Sequence, residues 1–125
     1  MPASFDKIHD EYLEIDGTRV FYQKNERESS PTLVFLHGFL SSSYAWRGVI
    51  SELAEEYCLY VLDLPGYGQS EGNLHSYSVD SYSSFLNSFC TVLNIDNFVL
   101  VGTQMGGSIA AWFASQHTER ISALI

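Results

Sequence analysis

The sequence predicts an α/β fold with a mostly parallel sheet, an N-terminal antiparallel hairpin and helices on both faces of the sheet. Two runs that alternate polar and apolar residues flank Asp16-Gly17, a pattern typical of a β-hairpin. Further along, continuous apolar runs of strand length alternate with segments of helical periodicity. Parallel strands need crossover connections, which are usually helices, so this alternation favours a parallel sheet.

The first half of the chain contains the hairpin, two buried strands and one helix. The helix follows Ser41-Ser42-Ser43, whose side chains can cap its N-terminus. The acidic residues near its end are expected to form a solvated face, and they are Glu52, Glu55 and Glu56. The predicted elements are hairpin strands at 11–15 and 18–24, a loop at 25–31, a strand at 32–36, a helix with apolar Trp46, Val49, Ile50 and Leu53, and a strand at 58–64.

The second half repeats the pattern of buried strand and helix. Ser78 is the predicted N-cap of its first helix, and Tyr77 and Tyr82 occupy the positions of a hydrophobic staple around that cap. The predicted elements are a glycine-rich loop at 65–73, a helix that ends near residue 94, a strand at 98–101, a helix from 105 to about 117, and a strand that begins at 121.

The length, charge and cysteine content exclude several classes of protein. The chain of 125 residues is long enough for one domain at most. Its net charge of -9 argues against nucleic acid or an anionic membrane as a partner, and residues 31–125 have only Arg47 and Arg120 as bases. We find no membrane-spanning run and no signal peptide, and therefore expect a cytoplasmic protein. Cys58 and Cys90 lie in apolar contexts, which favours free thiols over the alternative of a disulfide.

Three loops that follow the predicted buried strands carry the residues of chemical interest. The carboxyl ends of parallel strands meet at one edge of a sheet, and ligands bind there in open α/β folds. The loops read His37-Gly38-Phe39-Leu40, then Asp63-Leu64-Pro65-Gly66-Tyr67-Gly68-Gln69-Ser70, then Gly102-Thr103-Gln104-Met105-Gly106-Gly107.

These loops resemble those of the α/β-hydrolase family, and the resemblance extends over about residues 11–125. The His-Gly pair looks like the oxyanion-hole loop of that family. Asp-x-Pro-Gly-x-Gly-x-Ser is frequent in its esterase, epoxide-hydrolase, dehalogenase and peptidase branches, and is the most specific of the three motifs. Gly-x-x-x-Gly-Gly looks like the nucleophile elbow. The resemblance implies no cofactor, and no residues have the spacing of metal ligands.

The third loop departs from the family pattern at the nucleophile. In Gly-x-nucleophile-x-Gly, Gly102 and Gly106 frame Gln104, which stands where the family usually has Ser, Asp or Cys. A carboxamide is no useful nucleophile, because its nitrogen shares its lone pair with the carbonyl group. Thr103 is expected to point away from the site and Ser108 to pack or cap. If the elbow geometry is present, Gln104 has a positive φ.

The backbone parts of an oxyanion hole are retained. The resemblance implies that the N–H groups of Phe39 and Met105 are the donors, with His37 and Gly38 in the same loop. His37 is expected to organise that loop, and Phe39 to serve also as a core aromatic residue. Asp63 is expected to accept hydrogen bonds from backbone N–H groups in its loop. The residues expected to shape the loops, or simply to allow close packing, are Asp63, Gly66, Gly68, Gly102, Gly106 and Gly107.

The family's acid and histidine follow the nucleophile in the chain, but here only His117 and Glu119 do so. They lie about 20 Å away along the predicted helix, at 1.5 Å per residue, so His117 is better explained by the helix C-terminus. His9 and His75 are expected to be solvated. We therefore expect residues 1–125 to be the N-terminal part of one hydrolase-like domain, cut within a strand, and to self-associate when expressed alone.

Three functional hypotheses follow. The first is a hydrolase-fold protein that cannot perform serine-hydrolase chemistry: a non-catalytic binding relative with a small-molecule ligand in the elbow pocket, a scaffold relative, or a decayed fragment. The second is an incomplete record of an active hydrolase of esters, epoxides or similar small substrates. The third, a nucleotide-binding module, is disfavoured because residues 102–107 contain neither Gly-x-Gly nor Lys.

Overall fold

The structure, a computed structural model, describes residues 8–72, 74 and 76–125. Within them the strands are β1 His9–Ile15, β2 Thr18–Lys24, β3 Thr32–Leu36, β4 Cys58–Leu62, β5 Phe98–Gly102 and β6 Ile121–Leu124. The α-helices are α1 Arg47–Leu53, α2 Val79–Val92 and α3 Met105–Gln116, and 3-10 turns at Ser43–Trp46 and Thr118–Arg120 precede α1 and β6. The strands form one sheet in the order β1-β2-β4-β3-β5-β6.

The pairing of the strands confirms the predicted fold class. β1 and β2 form an antiparallel hairpin, and β2 is also antiparallel to β4, whereas β4, β3, β5 and β6 are parallel to one another. Ile15 pairs with Thr18 across the turn. Asp16 and Gly17 both have positive φ, 49° and 84°, as a two-residue hairpin turn of type I′ requires.

Helices cover both faces of the sheet, as predicted. Side chains alternate between the faces along each strand. On one face, Val34 and Leu36 of β3 belong to a core that includes residues of α2 and α3. On the other face, Leu33 and Phe35 pack in a smaller core with Ile50 of α1. The central strands β3 and β4 are therefore buried on both sides, which explains their continuous apolar sequences.

Some element boundaries differ from the prediction. β4 ends at Leu62 instead of residue 64, because the next N–H groups bond outside the parallel ladder. Asp63 N–H donates to the Phe21 carbonyl at 3.0 Å, and Leu64 N–H donates to the His37 ring at 3.0 Å. The apolar stripe of α1 is also narrower than predicted, since Val49 is exposed. By contrast, Ser78 caps α2 as predicted and accepts a hydrogen bond from Ser81 N–H at 3.1 Å.

Asn25 connects the segment after β2 to the segment before β4. Its side chain is fully buried. The carboxamide nitrogen donates to the carbonyls of Ala54 at 3.0 Å and Tyr57 at 2.7 Å, and the carboxamide oxygen accepts from Leu59 N–H at 2.8 Å. One side chain therefore fixes the end of the α1 region against the start of β4. The sequence did not point to this role.

Arg120 makes a similar connection at the other end of the sheet. It forms an ion pair with Asp96 at 2.9 Å. Its guanidinium also donates to the side chains of Asn87 at 2.8 Å and Thr91 at 2.9 Å, both on α2. Arg120, which directly precedes β6, therefore connects that strand to the C-terminal part of α2.

Cys58 and Cys90 are free and buried, in agreement with the preferred interpretation of the sequence. Cys58 begins β4, and Cys90 lies on the inner face of α2. Burial raises the pKa of the Cys90 thiol to about 12. In the described part of the chain, no helix combines the length and apolar character needed to cross a bilayer.

Candidate functional site

Gln104 occupies a sharp turn between β5 and α3. Its backbone angles are φ 54° and ψ -120°, in the region that the sequence led us to expect. This conformation is unfavourable for a residue with a side chain and costs about 1–3 kcal/mol, so the surrounding structure must hold it. The side chain lies at the exposed apex of the turn.

Two glycines allow this turn to form. A Cβ atom on Gly106 would lie 2.7 Å from the carbonyl carbon of Leu36, and one on Gly102 would lie 2.6 Å from the carbonyl carbon of Gly106. The start of α3 therefore packs directly against the backbones of β3 and β5. Gly107 differs from the expectation, because a Cβ atom there would make an ordinary contact of 3.6 Å with the Gly102 carbonyl oxygen.

The side chain of Gln104 reaches the first loop. Its carboxamide oxygen fills the space where a Cβ atom on Gly38 would lie, and the carboxamide carbon is 3.1 Å from that position. Among the described residues, the carboxamide makes no hydrogen bond. Gly38 is thus a position where any larger residue would displace Gln104, which joins the His-Gly motif to the turn.

His37 is fully buried, and both of its ring nitrogens are engaged. Leu64 N–H donates to Nε2 at 3.0 Å, so Nε2 is an acceptor and the proton resides on Nδ1. Nδ1 lies 2.8 Å from the Gly38 carbonyl oxygen and donates to it. Burial lowers the pKa of His37, although the Gly38 carbonyl and the Asp63 charge act in the opposite direction. His37 therefore organises two loops as a neutral residue and has no free nitrogen to serve as a base.

Asp63 organises the second loop. It is buried, and its carboxylate accepts from Ser43 N–H at 2.7 Å and Gln69 N–H at 2.8 Å. Gly68 has a φ of 54°, and a Cβ atom there would collide with the Asp63 carboxylate. Gly66 also has a positive φ, of 90°. The loop after β4 is thus folded around the Asp63 carboxylate, with glycine at the two positions of positive φ.

Phe39 is not part of the core, and the expectation that it packs there is wrong. Its side chain is 63% exposed, and that of Leu40 is 78% exposed. After the buried His37 the chain leaves the sheet, and Leu40 adopts a positive φ of 58°. Both side chains line a cavity of about 540 Å³ beside the Gln104 turn, together with Tyr67 and Met105.

Tyr67, one of the residues that line this cavity, contacts residues of the other two loops. The Tyr67 ring lies 5.3 Å from the His37 ring and 6.3 Å from the Phe39 ring, both in edge-to-face geometry. Its hydroxyl is 3.8 Å from the Met105 sulfur. Sequence reasoning missed Tyr67, although it lies inside the most specific motif, because a tyrosine in a glycine-rich loop carries no signal of its own.

The other candidate residues lie elsewhere. His117 follows the last turn of α3, where its N–H donates to the Phe113 carbonyl at 2.8 Å, so the structure keeps it at the far end of the helix from Gln104. Thr103 and Ser108 are exposed. His9 is half-buried beside Glu11 at 3.0 Å instead of being simply solvated, and His75 lies outside the described residues. Within the described ranges, no group of three or more His, Cys, Asp and Glu side chains could hold a metal.

The sheet order, the strained turn after β5 and the motif-bearing loops define the class. The chain belongs to the α/β-hydrolase fold family, whose profile matches residues 31–125.

Individual relatives agree with this assignment. The chain is 36% identical over 112 residues to uncharacterized hydrolase YugF of Bacillus subtilis, covering 89% of this chain and 41% of the relative. It is 34% identical over 111 residues to mouse epoxide hydrolase 4, covering 87% of this chain and 31% of the relative. The crystal structure of Cfl2 from Burkholderia cenocepacia superposes on this chain with a TM-score of 0.90 at 31% sequence identity. The superposition covers 94% of this chain and 40% of Cfl2. The chain thus spans less than half the length of these relatives.

Proposed function

We propose that this protein is a hydrolase-fold binding protein in which Gln104 replaces the nucleophile, so that it holds a small molecule without forming a covalent intermediate. The observation that carries the proposal is Gln104 itself, at positive φ on the turn between β5 and α3. Nucleophilic catalysis on this fold needs a hydroxyl, thiolate or carboxylate at that position, together with a base. His37 lies near the turn, but both of its ring nitrogens are occupied.

The groups that would bind a ligand remain available. Met105 opens α3, so its N–H has no acceptor within the helix. We assign this N–H and that of Phe39 as the donors of an oxyanion hole, which requires only backbone atoms. The described residues that line the cavity beside them carry aromatic or apolar side chains or are glycines, and none of these residues is charged. An uncharged ligand with an aromatic or alkyl body and one carbonyl oxygen suits this site.

A second candidate function is supported by the names of the relatives. YugF is named a hydrolase, and the mouse relative is named an epoxide hydrolase. This chain would then be part of an active hydrolase of esters, epoxides or similar small substrates. Such an enzyme would have to use a nucleophile other than Gln104.

A labelling and turnover experiment separates the two functions. The chain is treated with a fluorophosphonate probe, a chromogenic short-chain ester and an aryl epoxide, with heat-denatured protein as the control. We expect no labelling at Thr103 or Ser108 and no turnover above the control. Gln104→Ser should also remain inactive, because both ring nitrogens of His37 are occupied and a serine without a base is a weak nucleophile. A burst of chromophore or a labelled hydroxyl would favour the hydrolase.

The binding half of the proposal needs its own measurement. An uncharged aryl ketone such as 4-phenylbutan-2-one, which cannot be hydrolysed, is titrated while its NMR signals are observed. We expect saturable binding that Phe39→Asp weakens, because a carboxylate at the cavity edge would oppose an apolar ligand. Tyr44→Asp provides the matched control, since Tyr44 is exposed and lies outside this cavity. Equal binding by both variants would contradict the proposed site.

A further inference from the structure

A second cavity lies apart from the cavity beside the Gln104 turn, and the described residues that line the two cavities are all different. It has a volume of about 420 Å³ and lies between the hairpin, the start of α1 and the loop after β4. Phe21 and Gln23 of β2 line it, whereas their neighbours Val20 and Tyr22 face the core beneath α2 and α3. The cavity is therefore on the α1 side of the sheet.

Arg47 is the cation among the described residues that line this cavity. Residues 31–125 contain two arginines and no lysine. Arg120 forms an ion pair with Asp96, whereas Arg47 forms no ion pair within the described part of the chain. Its guanidinium lies 3.7 Å from the centre of the Tyr44 ring and donates to the Tyr44 carbonyl at 2.8 Å. These contacts fix its orientation, which lowers the entropic cost of binding a carboxylate.

Two carboxylates of the described chain also line the cavity, and one of these two is available to a ligand. Both oxygens of Asp63 accept backbone N–H groups, as described above. Asp10 is exposed and has only a long contact of 3.4 Å from the Gln23 carboxamide. Among the described residues, the cavity thus offers one free cation and one free anion. A simple anion would be opposed by the acids and a simple cation by Arg47, whereas a ligand with both charges satisfies both side chains.

The rest of the lining is mixed: serine and glutamine side chains form part of it, and an apolar patch forms another part. Phe21 and Ile50 are buried and line it, and Ile8 lies at its edge half-buried. We propose that this cavity binds a zwitterionic α-amino acid with an apolar side chain, with its carboxylate on Arg47, its ammonium group on Asp10 and its side chain against Phe21 and Ile50. The proposal does not depend on Gln104 or on the proposed function.

Calorimetric titration of the unaltered chain tests the charge pattern directly. The ligands are L-phenylalanine, 3-phenylpropionate, which lacks the ammonium group, and phenethylamine, which lacks the carboxylate. We expect L-phenylalanine to bind and each analogue to bind about tenfold more weakly, because each leaves one charged side chain without a partner. Equal affinity for all three compounds, or no binding of L-phenylalanine, would overturn the proposal.

Substitutions test the assigned partners. Arg47→Gln and Asp10→Asn should each weaken L-phenylalanine binding about tenfold. Arg47→Gln should leave the affinity for phenethylamine unchanged or higher, a result that a merely misfolded variant could not give. Arg27→Gln is the matched control, because Arg27 is an exposed arginine outside the cavity. Unchanged affinity in Arg47→Gln, or an equal loss in Arg27→Gln, would contradict the assignment.

Discussion

At the scale of single residues, unfavourable backbone conformations lie beside the candidate site. Five residues other than glycine have positive φ in the described chain, namely Asp16, Leu40, Asn94, Asn97 and Gln104. Asp and Asn tolerate this region, because their short polar side chains can bond to the local backbone. The side chains of Leu40 and Gln104 do not relieve the strain in this way. Both residues belong to the loops at the carboxyl ends of β3 and β5. Strain that is not relieved by residue type therefore marks the site.

Replacing Gln104 by glycine should be neutral or stabilising. Glycine adopts positive φ without penalty, so Gln104→Gly should recover part of the roughly 1–3 kcal/mol of strain. A glycine at Ala111, an exposed residue in the interior of α3, should instead cost about 0.5–1 kcal/mol. Urea unfolding of the two variants measures the contrast. A similar loss of stability at both positions would show that the turn is not strained.

His37 should make stability fall in mild acid. Its folded-state pKa is lowered by burial, so as the pH falls below about 6.5 the unfolded chain takes up a proton before the folded protein does. The contribution of His37 is therefore complete above about pH 6.5 and is lost as the pH falls towards the folded-state pKa. Unfolding free energies at pH 7.5 and 5.5 should differ more in the unaltered chain than in His37→Asn. Nitrogen NMR of the ring offers an independent check, and a protonated Nε2 at pH 7 would refute the assigned tautomer.

At the scale of elements, local patterns predicted the strands and helices but not the contacts that join them. The hairpin, β3 and the Ser78 cap depend on residues within a few positions of one another, so the sequence displays them directly. The end of β4 depends on a hydrogen bond to His37, which is distant in the chain. The predicted strand therefore extended two residues beyond the observed end at Leu62. Asn25 and Arg120 act on elements 29 and 24 residues away or more, so no local pattern reveals them.

Substitution of Asn25 tests the contact between β2 and β4. Asn25→Ala should cost about 2–4 kcal/mol, because two carbonyls and one N–H lose a buried partner worth about 1–3 kcal/mol each when unsatisfied. Asn25→Asp should be worse than alanine, since it places a carboxylate against the carbonyls of Ala54 and Tyr57. Chemical denaturation gives both values. If Asn25→Asp were as stable as the unaltered chain, the assigned orientation of the carboxamide would be wrong.

At the scale of the whole molecule, one edge of the sheet is apolar and exposed. β6 is the last strand in the sheet order, and Leu124 and Ile125 at its end are 46% and 73% exposed. Trp112 on the outer surface of α3 is exposed as well. An edge strand without a charge or a proline is a template for pairing with another chain. Self-association of the 125-residue chain is therefore our proposal for its behaviour in solution.

A charge on the edge strand should reduce that association. Leu124→Lys places a lysine where a second strand would pair, so its apparent mass in size-exclusion chromatography should be lower than that of the unaltered chain. Leu40→Lys, at a leucine that is more exposed and lies outside the strand, should leave the mass unchanged. A monomeric peak with one cooperative thermal transition for the unaltered chain would contradict the proposal.

The two buried cysteines can report the order in which parts of the domain unfold. One thiol is in the central strand β4 and the other is on α2, so an alkylating reagent reaches them only when those elements separate. Because burial holds the Cys90 pKa near 12, its thiolate is scarce until that moment. If the whole domain opens in one step, both thiols react at one rate. If α2 detaches before the sheet breaks, Cys90 reacts first, and the order of events is recorded in the covalent products without any added probe.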